Sequence, residues 1–355
     1  MTEPTIHCLP IPTPFAVGRV NCYLIEDDPL TLVDAGPNSG TSLTVLEATL
    51  AEHGRRVEEL ERIVVTHQHI DHIGLVDIIA KRSGAEVCAL DRLAPWLAGY
   101  KREMEENDRF SAEIMVRNGI PQDVVIALRA VSASFRGWGA AAHVTRTLHD
   151  GELLQFANRS WRALHRPGHS PSDTVFHDEG SGELFGGDHL IKHISSNPLI
   201  SRPLPGEKGR GTEGGECDGD ESRKGVGGDP EEGAGDGPGP DERPRALMIY
   251  LDSLRATREM ELSLVLAGHG EPIDDHRALI DERFKMHERR TEKLCRLIAE
   301  SPRNAYELAQ AMWGNVAVTQ AYLTLSEVLG HVDLLLDEGR VAEREHDGVV
   351  CFETS

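Results

Sequence analysis

The densest concentration of chemistry-bearing side chains is Thr66-His67-Gln68-His69-Ile70-Asp71-His72-Ile73-Gly74, with three imidazoles and one carboxylate in a short span. Imidazole nitrogens and carboxylate oxygens suit zinc, and also iron or manganese. Three further motifs place His or Asp beside glycine or proline: Arg166-Pro167-Gly168-His169-Ser170, Phe185-Gly186-Gly187-Asp188-His189 and Ala267-Gly268-His269-Gly270. Glycine permits tight turns and close backbone approach, which a crowded polar site requires. One such motif is a weak signal. Four in this order are specific.

Each motif follows a run that reads as a strand. Residues 63–65 precede the first, and 75–81 read as the helix after it, stopped near Gly84. Runs 20–25 and 30–33, split by Glu26-Asp27-Asp28-Pro29, read as a hairpin. Residues 42–53 read as a helix ending at Gly54, and 86–90 as another strand. Beyond Asp150-Gly151, strands are expected at 153–156, 161–165, 174–177, 183–185 and 262–267. Strands first in hairpins, then alternating with helices, fit a layered α/β domain with a mixed sheet. Between them, 92–131 reads as helices of mixed polarity, within an insertion spanning 92–140 that is suited to a substrate lid. Phe135 and Trp138, just past these helices, read as core packing or as an apolar substrate wall.

The order H-x-H-x-D-H, Pro-Gly-His, Gly-Asp, Gly-His-Gly resembles the metallo-β-lactamase superfamily over roughly residues 5–290, and its glyoxalase II and lactonase branches are similar in this respect. The resemblance implies a four-layer αββα sandwich holding two divalent metal ions, zinc foremost, with iron or manganese as alternatives. It implies that His67, His69 and His169 bind the first metal, that Asp71, His72 and His269 bind the second, and that Asp188 bridges both. Every ligand position is filled. Asp34, before Ala35-Gly36, resembles the family's aspartate that orients a ligand histidine through its other ring nitrogen; a turn-forming Asp is the alternative. The implied reaction is attack by a metal-bound hydroxide on a carbonyl carbon or phosphorus, with Asp71 as the catalytic residue that orients it and carries its proton. His189, Lys192 and His193, just past Asp188, read either as contacts for a substrate carboxylate or phosphate or as ordinary loop residues. His143, His149, His165 and His177 read as strand or turn residues.

The C-terminal part reads as a long helix over 275–301, helices over 306–312 and 321–336, and a hairpin from 340–344 and 348–352. That is the pattern of a winged helix. Together with Glu282-Arg283, Glu288-Arg289-Arg290 and Ser195-Ser196-Asn197-Pro198, it resembles the branch that includes the human β-lactamase-like endoribonuclease and fungal acyl-carrier-protein thioesterases. The expected division is a catalytic domain over 1–274 and a linker helix with a small winged-helix-like domain over 275–355. Residues 203–244 depart from that branch. They hold thirteen of the chain's 35 glycines, many acidic residues and almost no apolar ones. Such a stretch cannot bury enough surface to offset its ordering entropy, so a disordered acidic loop is expected.

The formal net charge of -22 repels phosphate backbones at long range, which disfavours nucleic acid without excluding a local basic patch. Residues 321–336 contain no Lys or Arg, unlike a nucleic-acid-reading helix. The expected activity is therefore hydrolysis of a carboxylic ester or thioester, on a small-molecule or acyl-thioester substrate. The alternative is a metal-dependent endoribonuclease acting on single-stranded RNA; a lesser one is an iron-dependent redox enzyme. A non-catalytic DNA-binding regulator is disfavoured by the complete ligand set and the acidic tail. The six cysteines form no C-x-x-C pair, which fits incidental thiols in a reducing cytoplasm. No signal peptide and no apolar run of ~20 residues is visible, so a soluble cytoplasmic protein with no membrane segment is expected. A homodimer is the commonest oligomer.

Overall fold

The computed structural model describes residues 5–206 and 243–355. Most of the expected acidic loop, 207–242, lies outside the described residues. The first sheet runs β1 (Thr5–Ile11), β2 (Val20–Glu26), β3 (Thr31–Val33), β4 (Arg62–Val64), β5 (Glu86–Leu90) and β6 (Arg146–Leu148), neighbours in space as in sequence. β1 to β3 form an antiparallel meander, and β3 to β6 are parallel. Parallel neighbours need crossovers. These are α1 (Gly40–Glu52) after β3, α2 (Ile70–Ile73) and α3 (Val76–Ser83) after β4, and α4 (Ala94–Ala98), α5 (Tyr100–Arg117) and α6 (Gln122–Phe135) after β5.

The second sheet is built from β7 (Leu153–Gln155), β8 (Ser160–His165), β9 (Thr174–Asp178), β10 (Glu183–Gly187) and β11 (Leu264–Ala267), in the order β11-β10-β9-β8-β7. Only β10 and β11 are parallel, and α7 (Ala246–Arg258) lies in the chain between them.

Alternation along the strands builds the layers. Val20, Cys22 and Leu24 of β2, Ile63 of β4 and Val87 and Ala89 of β5 pack with α1, α3 and α4. Their neighbours Tyr23, Ile25, Val64 and Cys88 face the other way and meet Trp161, Phe176, Phe185 and Leu266 of the second sheet. On that sheet Val175, Leu184 and Val265 point outward to Leu247, Tyr250 and Leu254 of α7. The result is the expected order of helix, sheet, sheet, helix.

The chain continues with α8 (His276–Glu300), whose N-cap Asp275 accepts from the Ala278 amide, then β12 (Arg303–Asn304), α9 (Ala305–Trp313), α10 (Val316–Thr319), α11 (Ala321–Asp337), β13 (Val341–His346) and β14 (Val349–Thr354). The three strands form a sheet ordered β12-β14-β13. Phe110, Ile114 and Met115 of α5 and Val125 of α6 share one core with Leu294, Leu308, Leu325, Leu329 and Phe352. The insertion is thus held from behind by the C-terminal elements.

Among the elements outside the sequence expectations are β1, β6 and α7. β1 carries Pro10, which demotes a run that otherwise alternates. It is tolerated because β1 is a sheet edge, where a missing N–H breaks no ladder. β6 is three residues long with only Leu148 buried. α7 had a legible stripe, Leu247, Tyr250, Leu251 and Leu254 at helical spacing. Among the described residues, no helix is long and apolar enough to cross a membrane.

Candidate metal centre

The four motifs lie beyond the strand ends and converge in the chain's fold. Donor atoms of His67, His69, His169 and Asp188 form one group, and those of Asp71, His72 and His269 a second, the atoms of each group lying within 4.8 Å of one another. Asp188 links them. Its Oδ1 is 3.4 Å from His72 Nε2, and its Oδ2 is 3.6 Å from His169 Nε2 and 3.4 Å from His269 Nε2. Asp71 Oδ2 lies 3.4 Å from His269 Nε2.

Hydrogen bonds fix four of the imidazoles through Nδ1. His72 donates to Asp34 Oδ2 (2.7 Å), His269 to the Arg19 carbonyl (2.8 Å) and His169 to the Asn197 carbonyl (3.1 Å). His67 Nδ1 is 3.0 Å from Thr66 Oγ1, which itself donates to Asp34 Oδ2 at 2.8 Å. With Nδ1 protonated, each Nε2 keeps its lone pair for the centre. His69 contributes Nδ1, 2.9 Å from His169 Nε2.

The donor set fits divalent cations. Among the described residues, Nε2 of His67, His72 and His269 and Oδ1 of Asp188 are buried without a hydrogen-bond partner. Buried polar atoms are rarely left unsatisfied, so four at one point mark a site built for a cation. Electrostatics agree. Burial drives the imidazole pKa of His67 well below its ordinary value and that of His69 down to about 3. Burial opposes charge on His72 and His269 as well, but carboxylates outweigh it. Asp188 and Asp34 hold His72 well above its ordinary value, and Asp188 with Asp71 raise His269 to about 9. Against the same burial, His72 and His269 keep Asp188 well below the usual carboxylate range.

Close packing requires one glycine outright. A Cβ on Gly268 would stand 2.2 Å from Asp188 Oδ1 and 2.9 Å from His72 Cε1. Several supports were invisible in the sequence. Asn21 Nδ2 donates to the carbonyls of Ala267 (3.0 Å) and Gly270 (2.8 Å), and Tyr23 Oη to Ala267 (2.6 Å), pinning the His269 turn. The Gln68 amide donates to Ser172 Oγ (3.1 Å), which joins the His67 and His169 loops. Asp173 accepts from the Ser170 amide (2.8 Å) and hydroxyl (2.7 Å), and burial raises its carboxyl to about 6. The polar run after His169 was the only signal for these.

A cavity of about 580 Å³ opens on the cluster, with His69, Asp71, His169, Asp188 and His269 in its wall. His189, Lys192 and His193, open to reading as substrate contacts or as ordinary loop residues, do not line it. Gly187 is left-handed (φ 48°) and the His189 amide donates back to Gly186 (3.0 Å). That turn sends His189 away from the cavity into the core, where Nε2 meets Thr257 Oγ1 at 2.8 Å. Lys192 is exposed, 3.8 Å from Glu271. His193 is exposed and its ring packs on Gly270. Ile191, Ile194, Ser196 and Asn197 line the cavity instead, together with Phe135. Trp138 does not, and its carbonyl accepts from Asn38. Away from this centre, His287, Glu327 and His331 cluster between α8 and α11. Arg290 takes the Glu327 carboxylate, and His331 Nδ1 donates to the Glu327 carbonyl.

Comparison with known proteins decides the family. The model of the metallo-β-lactamase superfamily matches residues 16–269. The chain belongs to that superfamily. Over 354 residues it is 30% identical to the "Probable metallo-hydrolase YqjP" of Bacillus subtilis, covering all of this chain and 99% of that one. Its fold is that of a β-lactamase domain protein from Burkholderia ambifaria, with a TM-score of 0.77 at 23% identity, covering all of this chain and 93% of that one. Part of the chain resembles a hydroxyacylglutathione hydrolase, GloC, of Haemophilus influenzae (23% identity, half of this chain and 70% of that one). A shorter part resembles the exodeoxyribonuclease WalJ of Streptococcus pneumoniae (40% identity, 20% of this chain and 24% of that one). The coarse class follows: a metal-dependent hydrolase.

Proposed function

We propose that the protein cleaves a carboxylic thioester or ester with a pair of divalent ions, zinc foremost. His67, His69 and His169 would hold one ion and Asp71, His72 and His269 the other, with Asp188 available to both groups. The observation that carries this reading is the meeting of two convergent donor groups with a largely apolar cavity. Such ions, when bound, supply a nucleophile from water at neutral pH and polarise a carbonyl oxygen. The chain's residues do the rest. Asp34 fixes the ring of His72 and, through Thr66, that of His67. Asp71 lines the cavity, and its carboxylate is able to accept a proton from water and hold it. A thiolate leaving group needs no proton donor, which suits a cavity whose histidines are committed to the centre.

The phosphodiester alternative draws no comparable support. α11 carries no Lys or Arg and is buried along most of its length, so it offers no basic face to nucleic acid. The test is turnover of an acyl-thioester panel and of single-stranded RNA by zinc-loaded protein, each with a chelated control. Chelator-sensitive thioester cleavage with intact RNA is expected. RNA cleavage without thioester turnover overturns the reading.

A further inference from the structure

Resting on the hydrolase reading for its carbonyl end, we infer that the cavity is a subsite for an extended hydrocarbon acyl chain, with Met115 and Leu128 at its far end setting chain length. The cavity is long. Met104, Asn107, Ser111 and Met115 recur along one face of α5 and all line it, a stripe of ~16 Å at 1.5 Å rise per residue. α6 runs beside α5 in the opposite sense. Ser132 Oγ donates to Asp108 Oδ1 (2.7 Å), and Tyr100 Oη donates to the Arg136 carbonyl (2.7 Å).

The metal end of the stripe is fixed by Tyr100 and Ile70. Both crowd the same point at Gly139, and Ile70 stands between His69 and Asp71. The far end is fixed by Met115, which belongs to the core shared with the C-terminal elements, and by Leu128 packed against that core. The Arg117–Glu345 ion pair (3.4 Å) anchors the same end of α5 to β13.

Glu103, Asn107 and Asp108 of the wall are paired with neighbouring groups, whereas Asn197 Oδ1 has no hydrogen-bond partner among the described residues and Arg129 also lines the cavity. Glu103 is buried between Arg102 (2.6 Å) and Arg202 (2.7 Å). Asn107 Oδ1 accepts from the Arg202 amide (3.1 Å), and Asp108 accepts from Arg136 Nε (3.1 Å). A polar substrate tail would have to break these bonds, at the cost of unpaired buried groups. A hydrocarbon chain meets Met104, Leu128 and Phe135 and breaks none. Methionine adapts to such chains.

The test separates the subsite from the chemistry. Calorimetric titration of the full, zinc-loaded chain with straight-chain 2-alkanones, from butanone to dodecanone, reads binding without turnover. Affinity is expected to rise about fourfold per methylene, then level off where the chain meets the far wall. Leu128→Trp and, independently, Ser111→Trp should move that plateau to shorter chains and leave butanone affinity unchanged, in variants whose circular dichroism matches the parent. A flat wild-type series overturns the subsite, as does a plateau unmoved by a folded variant. The same chain lengths offered as thioesters then test the hydrolase reading. Length-dependent ketone binding without thioester turnover supports the subsite and contradicts only the hydrolase reading. Turnover indifferent to chain length overturns the subsite alone.

Discussion

Asp34 holds a left-handed backbone (φ 57°) that turns its carboxylate toward the Thr66 amide (2.9 Å), the Thr66 hydroxyl and His72. Asp34→Asn keeps tolerance for that backbone but loses the charge. Metal affinity is expected to fall about 10–100-fold in a competition titration against a chromophoric chelator; unchanged affinity would show that Asp34 only shapes the turn. Gly268→Ala forces a methyl group into Asp188, so the variant should lose bound metal while Gly18→Ala, in open space, differs only through its backbone. Buried neutral imidazoles give a pH dependence. Burial takes His189 and His287 down to about 3, far below the ~6.5 of an unfolded chain. The unfolded state therefore takes up protons first. The stability these residues contribute is complete above ~6.5 and is lost as pH falls toward about 3, by ~2 kcal/mol each at about pH 5. Thermal denaturation across this range should show Tm falling with acid, and His287→Gln should flatten the slope. The seven candidate donors were legible because four crowd one short run after a strand and the other three each follow an apolar strand beside glycine or proline. The acceptors at Arg19 and Asn197 were not, because backbone carbonyls leave no mark in a sequence. Sequence adjacency left two readings open for His189, because only the turn at Gly187 separates it from Asp188.

At the scale of elements, legibility followed apolar periodicity. β5 matches the expected 86–90, and α1, α3, α8, α9 and α11 match their expected spans within about two residues. β12 and α10 did not stand out, because two- and four-residue elements carry too short a pattern to read. α11 packs on α7 through Gly330, where a Cβ would lie 2.6 Å from Leu247 Cβ. Gly330→Ala should therefore overpack this contact and lower stability by about 1–3 kcal/mol in chemical denaturation, despite the higher helix propensity of alanine. A stabilised variant would mean that the two helices can separate at no cost.

For the whole molecule, the two sheets bring distant strand ends together, and the C-terminal elements back the helices that wall the cavity. Cavity shape could not be read from the sequence, because α5, α6, the 195–204 segment and α11 meet only in the folded chain. That segment is tied at several points: Asn197 Nδ2 donates to the Leu323 carbonyl (3.1 Å), Tyr322 Oη to Ile200, and Arg202 pairs with Glu103. Metal bound by the native state alone stabilises it, by about 2.7 kcal/mol at a free concentration one hundred times Kd. A chelator should therefore lower Tm, and added zinc should restore it.

The most direct measurement is metal content per chain, by plasma mass spectrometry, after zinc loading and gel filtration of the wild type and of the His67→Ala, His69→Ala double variant. The proposed centre predicts two ions in the wild type and a loss in the variant together with activity. Two ions retained by the double variant, or none in the wild type, would contradict it.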